Sequence, residues 1–224
     1  MTADGPTLVF QVLGVMALFV VVITVGLIHS RRSQARNLRD VRAADAEVYI
    51  GTKASSAQDL LYGVWQLRWN EVILRVRDQR DVEVGSITHG PGGTAIAIDR
   101  ERFAVRATSG WTERAELVTS PIEGGADGAL ACSFAASGWG GNRIARYTWA
   151  GAGELTVRGR WSVPWRRSPL EVCQDGRMIG RLAVIGSAAV DTGRVLALPS
   201  TIPLQVRLFV LWKAVGVRTR THSQ

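Results

Sequence analysis

Lysine is almost missing from this chain. Lys53 and Lys213 are the only two among 27 basic residues, so recognition of an anion falls to arginine. Its planar guanidinium grips phosphate through paired hydrogen bonds. Histidine is scarce too. His29 borders an apolar run, His222 lies in the tail, and His89 alone falls in the body of the chain, on a turn. No H-E-x-x-H, G-x-S-x-G or cysteine-pair metal signature occurs, which removes the commonest zinc-dependent and serine-nucleophile chemistries. No catalytic residue, metal ligand or cofactor is expected. Cys132 and Cys173 stand far apart, in no C-x-x-C pattern, and read as buried, reduced thiols. The glycine-rich stretch 89–94 lacks the Lys-Ser/Thr ending of a phosphate loop, so turn chemistry is expected there and at 138–141. Asp78, Asp81 and Glu83 cluster on strand ends and read as a solvated face.

The leader, residues 1–6, carries no Lys or Arg, which argues against a cleavable signal peptide. Beyond it the chain turns apolar: residues 8–28 contain 21 positions without a charge. At about 1.5 Å of rise each, a helix of that length spans about 31 Å, the thickness of a bilayer's hydrocarbon. A transmembrane helix is assigned to 7–29. Arg31, Arg32, Arg36, Arg39 and Arg42 come after it against one acid of the flank, Asp40. The positive-inside rule then predicts a single-pass inner-membrane protein, amino terminus outside and the remainder cytoplasmic. Residues 30–61 form a basic juxtamembrane stalk and linker, helical to 48 and irregular over 49–62, with Ser55, Ser56 and Asp59 as helix-start residues.

Net charge is +8 but unevenly spread. Residues 1–47 hold five basic and four acidic groups (+1), 48–140 nine and eleven (−2), and 141–224 thirteen and four (+9). Beside a membrane the nearest anion is phospholipid, and each arginine near that surface gains about 1 kcal/mol. Nucleic acid also answers a basic surface but is not the expected partner.

From Trp65 onward the apolar period is two. Twelve short segments alternate, at 65–69, 72–78, 82–87, 95–99, 102–108, 114–118, 129–136, 143–149, 154–161, 170–174, 177–185 and 194–198. Glycine- and aspartate-rich turns separate them, which predicts an antiparallel meander closed as a barrel or sandwich. A faint echo runs through it. Val76 and Asp78 lead to Val84-Gly85-Ser86-Ile87, as Val172 and Gln174 lead to Ile179-Gly180-Arg181-Leu182. The chain closes on a helix expected over 202–217, capped by Thr201, with Pro203 in its first turn. Leu208 to Trp212 is apolar on every side, which predicts a helix threaded through the barrel. Residues 219–224 are a tail.

These hairpins and the Pro-led terminal helix resemble the tubby carboxy-terminal domain, and its LURP-one and phospholipid scramblase-like relatives. The resemblance spans residues 62–218 and implies a mainly β, twelve-stranded antiparallel barrel around a carboxy-terminal central helix. It also implies lipid association through basic residues, although the chain departs from the family in its lack of lysine and its amino-terminal anchor.

The richest local cluster is residues 157–169. Arg158, Arg160, Arg166 and Arg167 surround Trp161 and Trp165, a mixture suited to anionic lipid headgroups. The expected role is non-enzymatic binding or sensing at the membrane surface. A scaffold for another membrane protein is the alternative, followed by a hydrolase or transferase whose site is scattered along the chain.

Overall fold

Alternation puts one face of a strand toward oil and the other toward water. In the computed structural model, twelve such strands close on themselves. It describes Met16, Val21 and residues 41–51, 58–68, 70–108, 113–120, 128–137, 144–151, 153–159, 169–187 and 190–213. The chain divides into two compact units, Met1–Asp40 and Val41–Gln224. Of the first unit, only Met16 and Val21 are described, both helical. Apart from those two residues, the expected span at 7–29 and the flanking Arg31, Arg32, Arg36 and Arg39 lie outside the described residues. Among the described residues no helix is long and apolar enough to cross a membrane.

The second unit opens with a helix, α1 (Ala43–Ile50). The strands are β1 (Gln58–Arg68), β2 (Glu71–Asp78), β3 (Glu83–Gly90), β4 (Gly93–Ile98), β5 (Glu101–Thr108) and β6 (Glu113–Thr119). Next come β7 (Leu130–Ser137), β8 (Ile144–Trp149), β9 (Gly153–Arg158), β10 (Leu170–Gln174), β11 (Arg177–Ser187) and β12 (Val190–Pro199). Each pairs antiparallel with its neighbours in sequence, and β12 returns beside β1, Leu61 opposite Leu196, to close the barrel. An even strand number makes that last seam antiparallel as well.

Eight-stranded barrels are filled by side chains alone, and width grows with strand number. Twelve strands leave room for α2 (Leu204–Lys213), which carries Val206 to Leu211 fully into the core. Phe209 meets Phe134 and Tyr147 at ring separations of 6.4 and 5.8 Å, edge-on in both cases. Each such buried apolar side chain contributes about 1.5–3 kcal/mol. The mainly β barrel with its carboxy-terminal helix is therefore as expected. The helix starts at Leu204, not beside Thr201; the turn closes instead through carbonyls, Ile202 N–H donating to Pro199 O and Val206 N–H to Pro203 O.

The two echoing segments are two equivalent hairpins. Gly85 lies opposite Val76, and Gly180 opposite Val172, and in both the register shifts immediately beyond that valine. A Cβ on Gly85 would stand 2.7 Å from Ala97 O and 2.9 Å from the α2 side chain Leu208. On Gly180 it would stand 2.1 Å from Ala197 O. Both glycines let a neighbouring backbone come close.

One expectation is overturned at the start of the barrel. Residues 58–62 are strand, not irregular, and the end of the segment expected to be a helical stalk forms α1, which runs two residues past 48 and packs over β1, β12 and β11 from outside. Leu60, Tyr62, Ala183, Ile185, Val195 and Ala197 point away from the lumen and are nevertheless buried.

Candidate interfacial rim

Strand direction divides the connections between two rims. At the proximal rim α2 begins; at the distal rim it ends. Odd-numbered strands run toward the distal rim, so the connections after β1, β3, β5, β7, β9 and β11 all depart there, as does the chain beyond Lys213.

The lumen's distal mouth is plugged. Arg194 faces inward from β12, 3% exposed, and its Nη1 donates to Leu211 O at 2.8 Å and to Trp212 O. The last carbonyls of a helix lack intrahelical partners and carry its negative end, so a buried cation is stabilised there. Its guanidinium also lies over Trp65 and Trp212, 5.0 and 5.7 Å from the ring centres. Lys213 Nζ donates to Glu113 Oε1 at 2.6 Å. His89 stands near the end of β3 rather than on a turn. Its Nδ1 lies 2.8 Å from Thr94 Oγ1, and its ring 5.3 Å from that of Trp212. This cluster holds the helix end in place. With α2 filling the lumen, contact with a ligand falls to the rims and the outer face.

The proximal rim is built differently. Arg207, 8% exposed on α2, donates to Asp59 Oδ2 at 2.9 Å, and its Nε has no hydrogen-bond partner among the described residues. Tyr62 hydroxyl donates to Asp81 Oδ1, which also accepts the Ala43 N–H, the first amide of α1, at 3.2 Å. Burial, aided by the bond to Asp81, pushes the Tyr62 hydroxyl up to about 12. The Tyr62 bond holds Asp81 below the usual carboxylate range. Asp81 is thus a structural pin, which its neighbours Asp78 and Glu83 do not reveal in sequence.

Of the residues expected to bind headgroups, Arg158 is described. It ends β9 at the distal rim, half exposed, and its Nε donates to Glu171 Oε2 at 3.2 Å. Arg160, Trp161, Trp165, Arg166 and Arg167 lie outside the described residues, in the β9–β10 connection that leaves from this rim. Arg42 is exposed at the start of α1, its amide donating to Asp45 Oδ2 at 3.3 Å. Arg194 was legible as an inward residue, since it alternates with Leu196 and Leu198, but nothing announced its partners. Cys132 and Cys173 are free and buried, and burial pushes the Cys132 thiol up to about 12, where it is inert. Among the described residues no group of three His, Cys, Asp or Glu is arranged to hold a metal. Comparison with known protein families, curated proteins and solved structures gave no match.

Proposed function

We propose that this chain is a single-pass inner-membrane protein whose cytoplasmic, tubby-like barrel binds anionic lipid headgroups through the β9–β10 connection. One observation carries the reading: the way positive charge is distributed between matched and surplus arginines. In the basic last third, four described cations already sit beside carboxylates, Arg146–Glu154, Arg158–Glu171, Arg207–Asp59 and Lys213–Glu113. Those charges are used within the fold. The sequence between β9 and β10 holds Arg160, Arg166 and Arg167 with no acid among residues 159–169. Two tryptophans share that connection, and tryptophan favours the headgroup level of a bilayer.

The test is co-sedimentation of the unit Val41–Gln224, within which every ladder of the barrel closes, with vesicles containing phosphatidylglycerol. Changing Arg160, Arg166 and Arg167 together to Gln is expected to weaken binding about 10- to 100-fold at low salt, at about 1 kcal/mol or less per charge. Added salt weakens the parent protein in the same direction. Unchanged affinity would remove the proposal. Extraction of the full chain with alkaline carbonate, and protease access from each side, test the anchor and its orientation.

A further inference from the structure

We propose that the outer wall of the barrel beneath α1 is a helix-docking site that reads helix polarity, and that α1 is its exchangeable occupant, replaceable by α1 of a second copy of this chain. This wall lies apart from the β9–β10 connection, and its role does not depend on lipid.

Three strands supply the floor. On the outer face Leu60 stands opposite Ala197, and Ala197 opposite Arg181; in the next row Tyr62 faces Val195, and Val195 faces Ala183. Leu60, Tyr62, Ala183, Val195 and Ala197 are each 4% exposed or less, so α1 keeps water from an apolar strip of the wall. On either side of that strip stands a charge bonded to one end of the helix. Asp81, on the β2–β3 turn, accepts the first amide of α1 from Ala43 at 3.2 Å. Arg181, on β11, donates through Nη1 to Ile50 O, a carbonyl of the last turn, at 3.2 Å. A carboxylate at the positive end and a guanidinium at the negative end satisfy groups that a helix cannot satisfy itself, and they fit in one direction only. The spacing matches as well. From β2 to β11 across β1 and β12 is three strand steps, about 14 Å, and a helix the length of α1 is about 12 Å long.

The helix depends on the wall more than the wall depends on the helix. Two turns are too few for a helix to persist alone in water. The segment buries Val41, Ala46 and Ile50 and leaves Val48 77% exposed. The β1–β12 and β11–β12 ladders close through their own backbone pairs, so α1 can leave without breaking either. Departure bares an apolar strip between two charges fixed about one helix length apart. The helix that fits this strip is α1, and a second copy offers the same residues with the same polarity. Two copies that trade α1 reciprocally form a closed pair. A bilayer has no helix ends to match to Asp81 and Arg181, and a nucleic acid has no apolar face for Leu60 and Val195.

The probe is a synthetic peptide of residues 41–51, blocked at both ends and carrying a fluorophore, which stands in for α1 of a second copy. Ala46 is fully enclosed, so Ala46→Asp in the full chain drives that chain's own α1 off the wall. Anisotropy is expected to show the peptide binding to Ala46→Asp, and about tenfold or more weaker binding to the parent, whose tethered α1 competes. In the Ala46→Asp background, Asp81→Asn and Arg181→Gln are each expected to weaken the peptide about twofold to fivefold. A peptide of reversed sequence, equal in composition, should lose about tenfold or more. Mixed with Ala46→Asp, an Arg181→Glu chain, whose α1 is sound and whose wall is not, is expected to form a one-to-one pair in sedimentation that neither forms alone. No peptide binding to a folded Ala46→Asp protein would overturn the proposal, as would equal binding of the reversed peptide or absence of the pair. Loss of the barrel's near-ultraviolet circular dichroism in Ala46→Asp would overturn it too, because α1 would then be part of the fold rather than a guest on it. Hydrogen exchange needs no substitution: amides of Ala46 to Gly51 are expected to exchange together, about 100-fold or more faster than the ladder amides of β1 and β12. Exchange of both sets at one rate would refute the exchangeable helix.

Discussion

The two ends of this barrel use charge in opposite ways. At the proximal rim the buried Arg207 is tied to Asp59, fixing where α2 enters, and the buried Tyr62 and the first amide of α1 are tied to Asp81, fixing where α1 lies. At the distal rim Arg194 and Lys213 secure the end of α2, and the arginines of the connections are additional to them. One closed sheet can thus keep a structural end and a contact end, because its strands decouple them: a change in a connection at one rim breaks no ladder at the other. The comparison predicts large stability effects at the proximal rim and large binding effects at the distal one.

The strongest way to break it is Asp59→Ala. Arg207 is nearly enclosed, so removing its carboxylate strands a charge, at a cost of about 3 kcal/mol. For a domain of this size that lowers Tm by about 6–12 °C. Arg207→Met in the same background is expected to recover most of the loss, because the charge leaves with its partner. Vesicle binding by the folded fraction should not change. If Asp59→Ala left Tm where it was, the proximal rim would not be the structural end.

How much of this was visible in the sequence depends on which faces are wet. Ten of the twelve strands were legible for most of their length, mainly because one face meets the core and the other meets water, so side chains alternate; of β12 only 194–198 was read, and its residues Thr192 to Leu198 are buried on both faces. The early half of β1 was not legible: Leu60, Leu61 and Tyr62 are all buried, Leu61 against the core and its neighbours on the outer face where α1 packs. Two-sided burial erases the period on which the reading depends. The terminal helix was legible because Leu208 to Leu211 has no polar side, although Arg207 looked like an interruption until Asp59 appeared beside it. The composition of residues 157–169 was equally plain. That this connection departs from the rim where α2 ends was not, because it requires the number and direction of every strand before it.

A smaller effect comes from pH. Tyr62 titrates higher in the folded protein than in the unfolded chain, so its contribution is complete below about pH 10 and lost as pH rises toward about 12. Stability should fall there by up to about 1.4 kcal/mol per pH unit. Asp81 is displaced the other way; its share is present above about pH 4 and lost as pH falls through its lowered folded value. Tyr62→Phe removes one hydrogen bond, costing about 1 kcal/mol near neutrality, and should abolish its part of the alkaline slope. Urea titrations of both proteins from neutral pH to pH 11 compare the slopes; parallel curves would mean that Tyr62 titrates normally.

The smallest expected change in stability is also the sharpest contrast between rims. Glu171 and Asp175 are acids on the same strand and its following turn, yet they face opposite ends. Glu171→Gln dissolves an exposed ion pair, worth about 0.5 kcal/mol or less. It also frees Arg158 for an outside anion. Asp175→Asn removes the same unit of charge at the proximal rim and keeps a residue that tolerates the positive φ of 50° there. If charge acts through the distal rim, Glu171→Gln should tighten binding to anionic vesicles about threefold to fivefold, at about 1 kcal/mol or less per charge. Asp175→Asn should leave it within error. Equal gains from both substitutions would mean that the vesicle responds to net charge alone, and the division of labour between the rims would fail.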